Sequence, residues 1–142
     1  LSLASESAGG ASTILEKTVA YTKERVQFGK TIASYQAIKH KCADLLTQVE
    51  SAKTLTYYAA WALSDAGLDS SDEASIAAAM AKSYTTDAYK TCTAEAIQTH
   101  GAIGFTWEMP IHLYYKRARA NAISIATSNQ LRDNLIQKVV AA

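Results

Sequence analysis

The sequence predicts an all-α fold, an antiparallel four-helix bundle with one short extra helix. Three long segments repeat apolar residues three and four positions apart, as one face of a helix does. Short connections near Gly29, Gly67 and Gly101 separate them, and short connections make neighbouring helices antiparallel. No segment alternates as a strand between hairpin turns. We therefore expect residues 1–142 to form one helical domain.

The first helix is expected from about Ser2 to Gln27. Glycine just past a helix end is typical, so Phe28-Gly29 predicts its stop. Gly9-Gly10 is costly inside a helix. The pair indicates either a later helix start or close packing against a neighbouring helix.

The second helix is expected from about Tyr35 to Ala66, with Ser34 as a cap and Gly67 after its end. The third runs from about Glu73 to Thr99 and is rich in alanine and other small residues. Small residues permit close helix approach, and weakly charged faces leave an apolar patch for a partner. We therefore expect an oligomer.

The stretch Gln98–Pro110 holds two of the six glycines and the only proline. It predicts a compact corner, with glycine ending the third helix in the left-handed conformation. A short helix should follow from Pro110 to about Ala120. The next six residues are ambiguous, after which Thr127 or Ser128 caps a last helix to about Val140.

Composition excludes several classes of function. The net charge is +1 at pH 7, so we expect no nucleic-acid or membrane partner. Cys42 and Cys92 form no disulfide framework, which favours a reduced, cytoplasmic location. The chain begins at Leu1 without a signal-peptide pattern. We interpret it as a fragment of a longer subunit.

No metal site is expected. The three histidines are isolated, without ligand partners at helical or finger spacing. No phosphate-binding loop or nucleophile elbow is present in the sequence. For each histidine a structural role is the simpler interpretation. The histidines are His40, His100 and His112.

One local group of residues predicts a binding site. Arg25, Gln27 and Phe28 end the first helix, and Gln36 opens the second across a short loop. A guanidinium, two amides and an aromatic ring should therefore meet at one end of the bundle. Such a set suits a pyrophosphate and a nucleotide. Helix capping and loop packing is the alternative interpretation.

Three motifs, in this order along the chain, resemble the acyl-CoA dehydrogenase family. Tyr21–Ile32 followed by Gln36 is similar to its YxxxRxQFGKxI…Q signature. Gln98–Gly104 is similar to its QxxGGxG motif, and Glu108–Pro110 with Lys116–Arg119 to its ExP…RDAR run. The resemblance covers nearly the whole chain. It corresponds to the C-terminal helical domain, about the last third of a family subunit.

The resemblance implies an FAD-binding domain at the core of a dimer or tetramer. Arg25 matches the arginine that binds the FAD pyrophosphate, and Ala102 replaces the second glycine of the family motif. The isolated domain should be inactive, because it lacks the domains that hold the flavin ring. The residues assigned to FAD are Arg25, Gln27, Phe28, Gln36, Gln98, Gly101, Ala102 and Thr127.

No catalytic residue is identified. The family removes the α-proton of an acyl-CoA thioester with a glutamate while a hydride passes to the flavin. Ile125 and Leu3 stand at the two positions that carry this glutamate in family members. Glu6 is the only carboxylate near Leu3, about one helical turn out of register. Glu6, a less usual group or a partner subunit supplies the base, or the chain is non-catalytic.

Two functions remain open from the sequence. The first is the C-terminal domain of an FAD-dependent acyl-CoA dehydrogenase, in a homo-oligomer or in a mixed oligomer whose partner supplies the base. The second is a non-catalytic helical interaction module of the same fold. The binding-type residues favour the first, because a scaffold does not need them together, and Ile125 favours the second.

Overall fold

The computed structural model describes residues 1–64 and 71–141, and helices account for most of them. The two short strands pair with each other, antiparallel. Two 3₁₀ turns, Ile32–Ser34 and Gly101–Phe105, precede α2 and follow α3. The elements are α1 Ser2–Glu24, β1 Val26–Gln27, β2 Lys30–Thr31, α2 Gln36–Ser64, α3 Ser71–His100, α4 Ile111–Ile123 and α5 Ser128–Ala141.

The predicted four-helix bundle is confirmed, and α3 is its central helix, in contact with α1, α2, α4 and α5. The fourth position is shared by two helices in series. Lys82 of α3 contacts the end of α4, and Arg132 of α5 pairs with Asp87 of α3 at 2.7 Å. Farther along α5, Lys138 reaches Asp72 near the start of α3. α4 and α5 therefore both run antiparallel to α3, one after the other.

The predicted end of the first helix is wrong. α1 ends at Glu24, and the chain then forms a two-residue hairpin in place of another helical turn. Phe28 and Gly29, at the tip, have φ angles of 53° and 78°, as a type I′ turn requires. Gly29 is thus a hairpin residue and not a helix cap. This two-residue ladder is the strand content of the described residues.

The glycine pair in α1 shows close packing, the second of the two alternatives. α1 begins at Ser2 and continues through both glycines. A Cβ atom on Gly10 would lie 2.5 Å from Cζ of Tyr89 on α3, whereas one on Gly9 would meet nothing within 4 Å. Gly10 therefore lets α1 and α3 approach each other closely.

The remaining boundaries differ from the predicted ones by a few residues. Ser34, the expected cap of α2, donates its hydroxyl to the carbonyl of Thr31 at 2.7 Å, and α2 begins at Gln36. Gly67 lies outside the described residues. α4 begins directly after Pro110 and extends to Ile123, which resolves half of the ambiguous stretch as helix.

Three apolar clusters fill the described part of the bundle. The largest is centred on Ile14, Val49 and Ile111, each no more than 1% exposed. The two smaller clusters consist of alanines between α1, α2 and α3, as expected for close helix approach. No described helix is both long and apolar enough to cross a membrane.

Candidate functional site

The hairpin, the start of α2 and the corner after α3 lie at one end of the bundle. We call this the hairpin end and define it as residues 25–36 and 98–105. The Tyr21 ring, in the last turn of α1, stacks on His100 with centroids 4.1 Å apart. Its hydroxyl donates to the His100 carbonyl at 3.4 Å. This contact places the hairpin that follows α1 beside the corner that follows α3.

The hairpin presents its predicted binding residues to solvent. Arg25, Gln27 and Phe28 are exposed, and the Phe28 side chain is 91% exposed. The Tyr35 hydroxyl donates to the Gln27 carbonyl at 3.1 Å, which ties the hairpin to the start of α2. Among the described residues, the Arg25 guanidinium has neither an ion pair nor a hydrogen bond. It is therefore available to an anionic ligand.

The corner has the backbone predicted for it. Gly101 ends α3 with φ at 69°, the left-handed conformation expected of a terminal glycine. Gly104 is buried, and a Cβ there would lie 3.1 Å from the Ile97 carbonyl oxygen. Gln98 and Ala102 are exposed on either side of Gly101. The corner thus offers an amide side chain and exposed backbone beside the hairpin.

His100 supports this corner from within the bundle. It is 4% exposed, and its Nδ1–H donates to the Ala96 carbonyl at 2.7 Å. Burial lowers the pKa of His100, which favours the neutral ring. His112 is also buried, with the Trp107 ring edge-on at 4.7 Å. Among the described residues no group of three or more potential ligands could hold a metal.

Thr127 lies away from the other residues assigned to FAD. It precedes α5, where its amide donates to the Gln130 side chain at 2.9 Å and its hydroxyl accepts from the Gln130 amide at 3.4 Å. This reciprocal pair is a capping box, so Thr127 is the predicted cap of α5. The 13 residues of α4 separate it from the corner, a distance of roughly 20 Å at 1.5 Å per residue. The remaining residues assigned to FAD lie within the hairpin end.

The position expected to carry the glutamate base lies in a strained turn. Between α4 and α5 the Ala126 amide donates to the Ser124 carbonyl at 2.8 Å, which closes a three-residue turn around Ile125. The φ of Ile125 is 69°, an unfavourable value for a β-branched residue. Its side chain is 93% exposed. The turn therefore projects an apolar side chain out of the bundle.

Sequence reasoning missed the lysine beneath this turn. Lys82 of α3 is 7% exposed, and its ammonium donates to the Ala126 carbonyl and, at 3.4 Å, to the Ala122 carbonyl. Burial lowers the pKa of Lys82. The signal in the sequence was a single cation in the small-residue run 74–83 of a helix that is buried on several sides.

Glu6 is not a free carboxylate. The Arg117 guanidinium of α4 donates to both of its oxygens, with Nη2 at 2.7 Å from Oε2. This hydrogen bonding holds the pKa of Glu6 below its usual 4.5. An ionised, paired carboxylate is a weak base. Leu3, the other aligned position, has an aliphatic side chain and cannot accept a proton.

Comparison with known proteins gives one consistent family. A model of the acyl-CoA dehydrogenase C-terminal domain matches residues 1–140. The chain is 43% identical over 123 residues to acyl-CoA dehydrogenase IpdE2 of Mycolicibacterium smegmatis. The matched region covers 86% of this chain and 36% of that protein.

Solved structures share the fold. The structure of butyryl-CoA dehydrogenase from Megasphaera elsdenii matches with a TM-score of 0.90 and 30% identity, over 97% of this chain and 35% of that chain. The ChsE4-ChsE5 complex from Mycobacterium tuberculosis matches with a TM-score of 0.91 at 22% identity, over 99% and 37%. The chain thus spans about a third of the length of these relatives.

Proposed function

The chain belongs to the acyl-CoA dehydrogenase family as its C-terminal domain, and from this premise we propose a function for the full-length protein that carries it. That protein is an FAD-dependent dehydrogenase, which removes hydrogen from the α- and β-carbons of an acyl-CoA thioester. The domain binds the tail of FAD with its hairpin end and contributes the oligomer interface.

The convergence of residues at the hairpin end carries this proposal. The Arg25 guanidinium, without a partner among the described residues, suits a pyrophosphate because its planar fork can donate two parallel hydrogen bonds. The exposed backbone at Gly101 lets a ligand approach closely. The exposed Phe28 ring can pack against a flat ligand group. These residues fit the anionic, partly aromatic tail of FAD. FAD held there would supply the acceptor for the hydride that leaves the β-carbon.

The general base comes from outside this chain in our proposal. Ile125 has no proton acceptor, and Glu6 is held by Arg117. The residues described here bind and orient, and a partner subunit or another part of the protein takes the α-proton. A homo-oligomer that lacks such a base would bind FAD and oxidise acyl-CoA slowly.

We also propose an oligomer in the cytoplasm. Phe28, Phe105 and Trp107 are between 70% and 91% exposed near the hairpin end, and exposed apolar surface of this kind can mark an interaction site. A second copy or a related subunit would cover part of it. The ChsE4-ChsE5 complex, which shares the fold, is a complex of two different components.

The test is the visible absorbance of the purified full-length protein, followed by release and identification of the bound cofactor. We expect a flavin spectrum and FAD in the released fraction. A colourless protein that stays colourless after incubation with FAD would contradict the proposal. It would favour the non-catalytic interaction module, the alternative that Ile125 supports.

A further inference from the structure

Within the described residues, Lys82 is the side chain of α3 that holds the turn around Ile125. Farther along, α5 has several attachments to α3, among them the hydrogen bond from Ser128 to the Ser83 carbonyl at 3.2 Å and the Arg132–Asp87 pair. Between α4 and these contacts, the side-chain hydrogen bonds that α3 makes with residues 122–126 of the described chain come from Lys82.

The two acceptors of Lys82 lie on opposite sides of Ile125. The Ala122 carbonyl belongs to the last turn of α4, where carbonyl groups have no partner within the helix and attract a cation. The Ala126 carbonyl lies outside any helix. Capping of α4 therefore explains one of the two hydrogen bonds, and the other ties down the far side of the turn.

A lysine suits this task better than the other polar side chains. Its ammonium has three donors on one atom, so it can reach carbonyls that approach from different directions. The planar guanidinium of arginine has a fixed fork. Lys82 also borders, together with Leu1 and Ile125, a cavity of about 330 Å³ between α3 and α5.

We propose that Lys82 is the positioning residue for side chain 125, because its ammonium fastens both flanks of the turn to α3 and sets the direction in which that side chain leaves the bundle. The effect of Lys82 on substrate binding rests on the proposed function. On the proposed function, side chain 125 stands where family members carry the glutamate and borders the acyl thioester, so Lys82 tunes thioester affinity without touching it.

The test uses the full-length protein with Lys82→Met, which keeps the aliphatic stem and removes the donors. Lys90→Met is the matched control, since Lys90 lies on the same helix and pairs with Asp87 at 3.0 Å. We expect amide hydrogen exchange across residues 122–128 to be about tenfold faster in Lys82→Met, the effect of losing a hydrogen bond to a charged group. Exchange in α1 and α2 should not change.

A second readout separates positioning from a general structural role. The Kd for butyryl-CoA or octanoyl-CoA, read from the flavin absorbance, should rise about tenfold in Lys82→Met while the FAD content stays the same. Lys82→Gln, which keeps two N–H donors, should fall between the wild type and Lys82→Met in both readouts. It replaces the methionine variant if that variant does not fold.

Unchanged exchange at 122–128, or an equal change in Lys90→Met, would overturn the role of Lys82. So would an FAD content that falls together with thioester affinity. A wild-type protein without flavin or thioester binding would instead contradict the proposed function, and the exchange measurement would still decide whether Lys82 holds the turn.

Discussion

The hairpin end and the turn around Ile125 differ in how their polar side chains are used. At the hairpin end, Arg25 and Gln98 are exposed and make no side-chain hydrogen bond within the described part of the chain. Around the turn, Lys82 holds two carbonyls and Thr127 is paired with Gln130. The first region leaves its donors exposed, whereas the second uses them to hold the fold. The proposed cofactor site and the proposed absence of a base at position 125 both depend on this difference.

A carboxylate placed in the turn around Ile125 should have the largest effect, on the rate of acyl-CoA oxidation. In the full-length homo-oligomer, Ile125→Glu introduces a base on an exposed side chain, and a general base typically contributes about 10²–10⁴-fold in rate. We expect acyl-CoA oxidation to rise toward that range. Ile125→Gln, of the same size without the base, is the control. Equal rates for the two variants would show that position 125 does not face the substrate.

Removing the unpaired cation tests the other region. Arg25→Ala in the full-length protein should weaken FAD binding roughly tenfold to a hundredfold, since a hydrogen bond to a charged group contributes about 1.5–3 kcal/mol. Equilibrium dialysis of the flavin measures this. Lys23→Ala, which removes an exposed cation from the last turn of α1, should leave affinity unchanged. An Arg25→Ala protein with wild-type affinity would refute the FAD assignment of the hairpin end.

Local patterns in the sequence predicted the parts of the fold that depend on neighbours along the chain. The helical segments, the left-handed Gly101 and the Thr127 cap are of this kind. The end of α1 was not predicted, because bulky residues rarely adopt the positive φ that Phe28 takes in the hairpin. Which glycine of the α1 pair is essential for packing depends on Tyr89, a residue of another helix.

The same distinction applies to the candidate site. The hairpin residues and the corner could be predicted from short motifs. The hydrogen bonds of Lys82 could not, because their acceptors lie 40 and 44 residues away along the chain. The partner of Glu6 is 111 residues away, so the sequence left open whether Glu6 is free to act as a base.

Relief of the backbone strain at Ile125 should make the protein more stable. Asparagine tolerates positive φ better than a β-branched residue does, and the left-handed conformation costs roughly 1–2 kcal/mol for residues that resist it. Because Ile125 is 93% exposed, Ile125→Asn loses little burial. We expect the free energy of unfolding to rise by about 1 kcal/mol, measured by denaturant titration. Ile123→Asn, in the last turn of α4, should give no such gain, and an equal gain would argue against strain at Ile125.

The Glu6 ion pair should contribute a smaller, pH-dependent effect. Its folded pKa lies below the usual 4.5, so its contribution to stability is complete above that pH and is lost as the pH falls through the folded pKa. The difference in unfolding free energy between the wild type and Glu6→Gln should therefore shrink as the solution is acidified below pH 4.5. A difference that stays constant across this window would mean that the carboxylate is not held by Arg117.

The most direct test of the central claim is the acyl-CoA oxidation rate of the flavin-loaded full-length protein, compared with that of Glu6→Gln. Because the base lies outside this chain in our account, the rate should be the same in both proteins. If a partner subunit supplies the base, the homo-oligomer should be slow, and co-expression with a related subunit that carries the glutamate should increase its rate. A fast rate that Glu6→Gln leaves unchanged would place the base in another part of the same protein. A fast wild-type rate that Glu6→Gln lowers by about 10²–10⁴-fold would show that Glu6 is the base and would contradict the account.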